Sequence, residues 1–132
     1  VSRSNNRCWM YRFDYPCNDP RRGALHAADV TFFLGTWNSP GGRALLGEPE
    51  TEGALEERQR LSSLMQDVLI SFARTGNPNT AETPTWPPYS PSSANYLSFN
   101  TKCRVELEPL AGRGEFWRRA IVAPILPDNS EK

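Results

Sequence analysis

One histidine occurs among the 132 residues, His26, and its surroundings are those in which an imidazole could be put to use. Its neighbours are small: Gly23, Ala24, Ala27 and Ala28 let backbone approach from both sides. Asp29 follows three residues on, and then an apolar run, Val30, Phe32, Phe33 and Leu34, is stopped by Gly35. Imidazole titrates close to neutral pH and is the commonest general base when something fixes its position. A small-residue loop anchored by a buried aromatic segment would do so. A lone His is more often a surface or satisfied core residue, so the reading depends on the elements that place it.

Residues 9–15 alternate strictly. Trp9, Tyr11, Phe13 and Tyr15 point one way and Met10, Arg12 and Asp14 the other, which predicts a strand with one aromatic face packed under helices. A parallel strand buried on both sides would be apolar on both, so this one is expected late in a sheet, towards an edge. Pro16 ends it, and residues 17–22, with Asp19-Pro20, read as a surface loop leading to His26. That puts the histidine at the carboxyl end of the strand, where open α/β sheets hold their sites.

Residues 27–34 are expected to be a short helix on the spacing of Val30, Phe33 and Leu34, and residues 36–50 a loop in which Gly41 and Gly42 make a turn. The strongest helix signal runs from 52 to 75: Leu61, Leu64, Met65, Val68, Leu69 and Phe72 recur at spacings of three and four. Glu56 and Arg60 are placed for an i,i+4 pair; Gly76 suits the C-terminal cap and Pro78 bars continuation. Trp86 and Tyr89 among the prolines of 84–91 read as a pinned loop rather than a ligand for a proline-binding groove. Two short strands at 96–99 and 104–108 predict a hairpin, residues 114–122 a terminal helix with Phe116 and Trp117 inward, and residues 123–132 a flexible tail.

Composition narrows the function. Fifteen basic and 15 acidic residues cancel, which argues against a nucleic-acid partner. No apolar run approaches the ~20 residues that span a bilayer. One His and no Cys-x-x-Cys speak against zinc, and no phosphate-binding glycine motif is present, so no metal or cofactor is expected. Cys8, Cys17 and Cys103 are odd in number. Cys8 and Cys17 could pair if the chain turned back at Pro16; three reduced thiols is the preferred reading.

Gly-Ala-x-His-Ala-Ala-Asp at 23–29, followed by Phe-Phe-x-Gly, resembles the catalytic-histidine segment of the type B carboxylesterases. Two further stretches agree in order and spacing: Trp-Met-Tyr-Arg-Phe-Asp-Tyr at 9–15, and residues 61–79 ending Ser-Phe-Ala-Arg-Thr-Gly-Asn-Pro-Asn, the most specific match. The likeness continues through Trp86-Pro87-x-Tyr89 to about Trp117. Many members have Gly directly after the His, where this chain has Ala27, and Asp29 stands where others often carry Glu.

The resemblance implies an α/β chain: a partial α/β-hydrolase fold with a late sheet strand, the His loop, a long amphipathic helix, a small hairpin and a terminal helix. It implies carboxylic ester hydrolysis through an acyl-serine and a Ser-acid-His triad, with His26 as the base and Gly23 and Asp29 supporting its loop. Asp29 lies too close in sequence to reach the ring well and is read as holding the loop by capping or by bonds to backbone amides. These enzymes take the serine from Gly-x-Ser-x-Gly, which occurs nowhere in the sequence, and their acid lies upstream of the strand. The expectation is therefore that residues 1–132 are one C-terminal portion of a hydrolase domain, inactive alone. Its expected partners are the remainder of that domain and, in the intact parent, a small-molecule ester. The alternative is a non-catalytic adhesion or binding segment of the same superfamily, or a purely structural fragment.

Overall fold

The fold is given by a computed structural model, which describes residues 7–90 and 93–107, with 116, 119 and 120 beyond them. The elements run β1 (Tyr11–Phe13), α1 (Ala28–Phe33), α2 (Pro40–Leu46), α3 (Glu52–Thr75), β2 (Asn95–Phe99) and β3 (Arg104–Leu107). The strands form one sheet in the order β1-β2-β3, with β1 parallel to β2 and β2 antiparallel to β3. The expected terminal helix and tail lie outside the described residues, apart from Phe116, Arg119 and Ala120.

Alternation along β1 sorts its side chains as the sequence implies. Tyr11 aligns with Leu97 and Phe13 with Phe99, so these rings share a face with the core of β2. Helices cover that face: Phe13 and Tyr15 lie 5.2 and 5.5 Å from Phe32 of α1, and Trp9 lies edge-on to Phe72 of α3 at 5.8 Å. Regular pairing is confined to three residues rather than seven, although the Leu97 N–H to Met10 carbonyl (2.9 Å) and Asp14 N–H to Phe99 carbonyl (2.8 Å) bonds carry it one step past each end. The other face is polar and self-paired. Arg12 meets Asp14 at 2.6 Å and lies 4.7 Å from the centre of the Tyr96 ring, and Tyr96 donates to Glu106 at 2.8 Å.

Helix α3 has the bounds its pattern predicts. Thr51 caps it by accepting from the Ala54 N–H at 3.1 Å, and it ends where Gly76 takes the left-handed conformation. Leu61, Met65 and Val68 are buried as expected, but so are Arg58 and Ser62, whereas Leu69 and Phe72 stay close to half exposed. The Glu56–Arg60 pair does not form; an exposed pair of this kind contributes little in any case. In α1 the inward residues are Ala28 and Phe32, four apart, while Val30 and Leu34 face out. Trp86 is buried core.

The stretch expected to be a loop contains α2. Ser39 caps it through the Gly42 N–H (3.2 Å), Pro40 occupies the first turn, where its missing N–H costs nothing, and Leu46 is fully buried. Gly41 and Gly42 weaken the helix signal, yet Gly42 is there for space: a Cβ on it would lie 2.2 Å from the Trp37 carbonyl oxygen. Gly41 faces open space apart from Ser39 Oγ at 3.9 Å. Gly42→Ala is therefore expected to destabilise by about 1–3 kcal/mol. Gly41→Ala should stabilise by roughly 0.5–1 kcal/mol. Urea denaturation of the two variants checks this; equal effects of one sign would contradict the packing described.

Candidate active site

Between β1 and α1 the chain has no regular structure, and backbone bonds shape it. Arg22 N–H donates to the Asp19 carbonyl (3.0 Å), closing a turn around Pro20, and Cys17 N–H donates to the Gly23 carbonyl (3.0 Å), closing the neck of the loop. Gly23 has φ +60, which a residue with a Cβ adopts at a cost. Leu25 is half-buried against the core and Ala28 is fully buried, so backbone is anchored on both sides of His26. The imidazole itself is exposed and makes no hydrogen bond among the described residues.

Ala27 turns the chain into α1 with φ 64 and ψ 2, the left-handed region. For a residue with a Cβ this costs about 1–2 kcal/mol. The position where the sequence departs from Gly is thus the one at which Gly would fit without strain.

Asp29 lies in the first turn of α1. It accepts a 2.9 Å hydrogen bond from the Tyr11 hydroxyl of β1, not from backbone amides as the sequence reading expects, and none joins it to His26. The bond ties the exit of the loop to the strand that enters it, 18 residues apart. Tyr11 is itself wedged edge-on against Phe33 (5.5 Å) and Phe99 (5.6 Å). Burial, then the hydrogen bond to Asp29 and its negative charge, push the Tyr11 phenol from 10.0 up to about 12.

The loop entrance is held from α3. Arg58, 1% exposed, donates from Nη1 to the Gly47 carbonyl (2.7 Å) and from Nη2 to Asn18 Oδ1 (2.6 Å) and the Leu46 carbonyl (3.3 Å). Ser62 donates to the Phe32 carbonyl at 2.8 Å, fastening the end of α1 to α3. Tyr11, Asn18, Arg58 and Ser62 are missed when only apolar periodicity is scored. The signal for Arg58 and Ser62 was their register, three residues before Leu61 and three before Met65 on the inward stripe.

The carboxylesterase family model matches residues 1–117. The chain belongs to that family. Para-nitrobenzyl esterase of Bacillus subtilis (strain 168) is 33% identical over 102 residues, covering 76% of this chain and 19% of the relative. Carboxylesterase 5A of Felis catus is 34% identical over 121 residues, covering 86% and 21%. Among solved structures, a PNB esterase superposes with a TM-score of 0.68 at 30% identity, and a Geobacillus stearothermophilus carboxylesterase with 0.62 at 32%. These cover 81% and 83% of this chain and 21% of each neighbour, so the chain spans about one fifth of the relatives it matches.

In this carboxylesterase chain the His loop therefore offers one exposed imidazole on a backbone fixed at both ends. Among the described residues no group of three His, Cys, Asp or Glu side chains could hold a metal. No described helix is long and apolar enough to cross a membrane. Cys8, Cys17 and Cys103 are all free thiols.

The Tyr11–Asp29 bond has a pH signature. The neutral phenol is the donor, and its pKa is higher in the folded chain than the ordinary 10.0. Its contribution to stability is full below that value and is lost as pH rises towards about 12. The difference in unfolding free energy between wild type and Tyr11→Phe should accordingly be constant up to about pH 9 and shrink above pH 10. Tyr96, also raised to about 12, is common to both proteins and cancels. A difference that grows above pH 10 would contradict the assignment.

Proposed function

We propose that these residues form the C-terminal portion of an α/β-hydrolase-fold carboxylesterase and supply its general base, His26. The observation that carries the reading is the setting of the only histidine: exposed, on a clamped loop that follows β1, in a chain of this family. In the mechanism, His26 takes the proton from a serine hydroxyl as its oxygen attacks the ester carbonyl carbon. It returns that proton to the departing alcohol, then deprotonates the water that hydrolyses the acyl-serine. The serine and the acid that orients His26 come from the part of the domain not in these residues. Asp29, engaged by Tyr11, braces the loop instead of completing the triad, and Gly23 supports its neck.

The remainder of the hydrolase domain is the expected partner. Among the described residues β1 pairs on one edge only. Beside it Trp9, Tyr11, Phe33, Leu69 and Phe72 line an apolar groove of about 190 Å³. Another strand along β1 would continue the sheet and cover this groove. A small-molecule carboxylic ester is the expected substrate class.

His26→Ala in a longer carboxylesterase chain that includes these residues is expected to lower kcat by on the order of 10⁴–10⁶, because triad members act as a unit. The melting temperature should hardly move, since His26 is exposed. The 132-residue chain alone should hydrolyse p-nitrophenyl acetate only at background. If the variant retains more than about a tenth of the wild-type kcat, the base is elsewhere. Absence of a Gly-x-Ser-x-Gly turn upstream would favour the non-catalytic binding reading.

A further inference from the structure

We propose that Arg58 is a positioning residue for His26, acting through Asn18 and the neck of the loop; the proposal rests on the reading of His26 as the general base. Arg58 is a buried cation on the apolar stripe of α3, and no carboxylate lies within salt-bridge distance of it among the described residues. Charge pairing therefore does not account for it. Its fork instead joins two segments far apart in sequence. One is the end of α2, through the Leu46 and Gly47 carbonyls; the other is Asn18, at 2.6 Å.

Asn18 is the hinge of this arrangement. Its backbone N–H donates to the Leu46 carbonyl at 2.8 Å, and its side-chain amide donates to the Glu48 carbonyl. With its oxygen held by Arg58, its backbone N–H by the last residue of α2 and its side-chain amide by Glu48, the residue has little freedom to turn. The preceding residue, Cys17, makes the bond to Gly23 that closes the neck, and His26 is three residues beyond Gly23. Arg58 thus fixes Asn18 at the loop entrance, and the entrance fixes where the imidazole projects. A lysine, with one compact ammonium, cannot span these acceptors.

The test uses a longer carboxylesterase chain that includes these residues, with the His26 imidazole resonances assigned by their absence from His26→Ala. Amide exchange at Cys17 and the His26 ring signals are compared in wild type, Asn18→Ala, Arg58→Lys and Arg58→Met. Asn18→Ala should speed Cys17 exchange by about tenfold or more and shift the His26 signals, while the sheet amides of Leu97 and Tyr96 keep their wild-type rates. Arg58→Met should do the same, Arg58→Lys less, and the Asn18→Ala/Arg58→Met pair should be less than additive. Unchanged Cys17 exchange and His26 signals in Asn18→Ala would overturn the proposal, as would loss of protection throughout the sheet in step with the loop. Should Arg58→Met fail to fold, Asn18→Ala alone decides. The readout does not depend on turnover: if His26→Ala leaves kcat high in a longer chain, the base assignment fails and the loop result stands.

Discussion

The ring of Phe32 lies 5.2 Å from Phe13, 5.5 Å from Tyr15 and 6.4 Å from Trp37, and none of it reaches solvent. Burying such a side chain contributes roughly 1.5–3 kcal/mol, and each well-oriented aromatic neighbour adds on the order of 1 kcal/mol. The geometric consequence matters more. Phe32 fills that space when α1 packs against both the sheet and α3, and Ser62 then donates a hydrogen bond to the Phe32 carbonyl. With α1 so fixed, Ala28 is driven into the core and His26, two residues earlier, is left at the rim. The imidazole owes its place to a ring six residues away.

The two faces of the sheet are finished to different degrees. On the face away from the helices, Arg12, Asp14, Tyr96, Ser98, Arg104 and Glu106 satisfy one another. On the helix face, Tyr11, Leu69 and Phe72 remain close to half exposed beside the edge of β1 that has no partner strand among the described residues. A segment that covers one fifth of its relatives would show this asymmetry: complete where its own strands meet, open where the rest of the family's length would pack.

Much of this architecture was legible in the sequence. The long helix declared its C-terminal end through Gly76, because cap chemistry is local. The alternation in β1 and the hairpin of β2 and β3 could be read because period-two patterns and turn residues are local too. What escaped was non-local or disguised. Helix α2 was hidden by Gly41 and Gly42, poor helix formers, the second of which is needed for a close approach to Trp37. Arg58 and Ser62 are polar by type and their acceptors belong to other segments, so no local pattern marks them as buried. The partner of Asp29 was invisible because Tyr11 is 18 residues away and belongs equally to the aromatic face of β1. The position of His26 was legible, whereas the scaffold that holds it was not.

The central claim is that His26 acts on a serine supplied by the rest of a carboxylesterase domain. A crystal structure of a longer carboxylesterase chain containing these residues, inactivated at its nucleophile by a phosphonate ester, tests it most directly. One ring nitrogen of His26 is expected within hydrogen-bond reach, about 2.6–3.2 Å, of the phosphonylated serine oxygen. The other nitrogen is expected to be bonded to a carboxylate other than Asp29, with Asp29 still bonded to Tyr11. An imidazole turned to solvent, or one whose only carboxylate partner is Asp29, would contradict the claim.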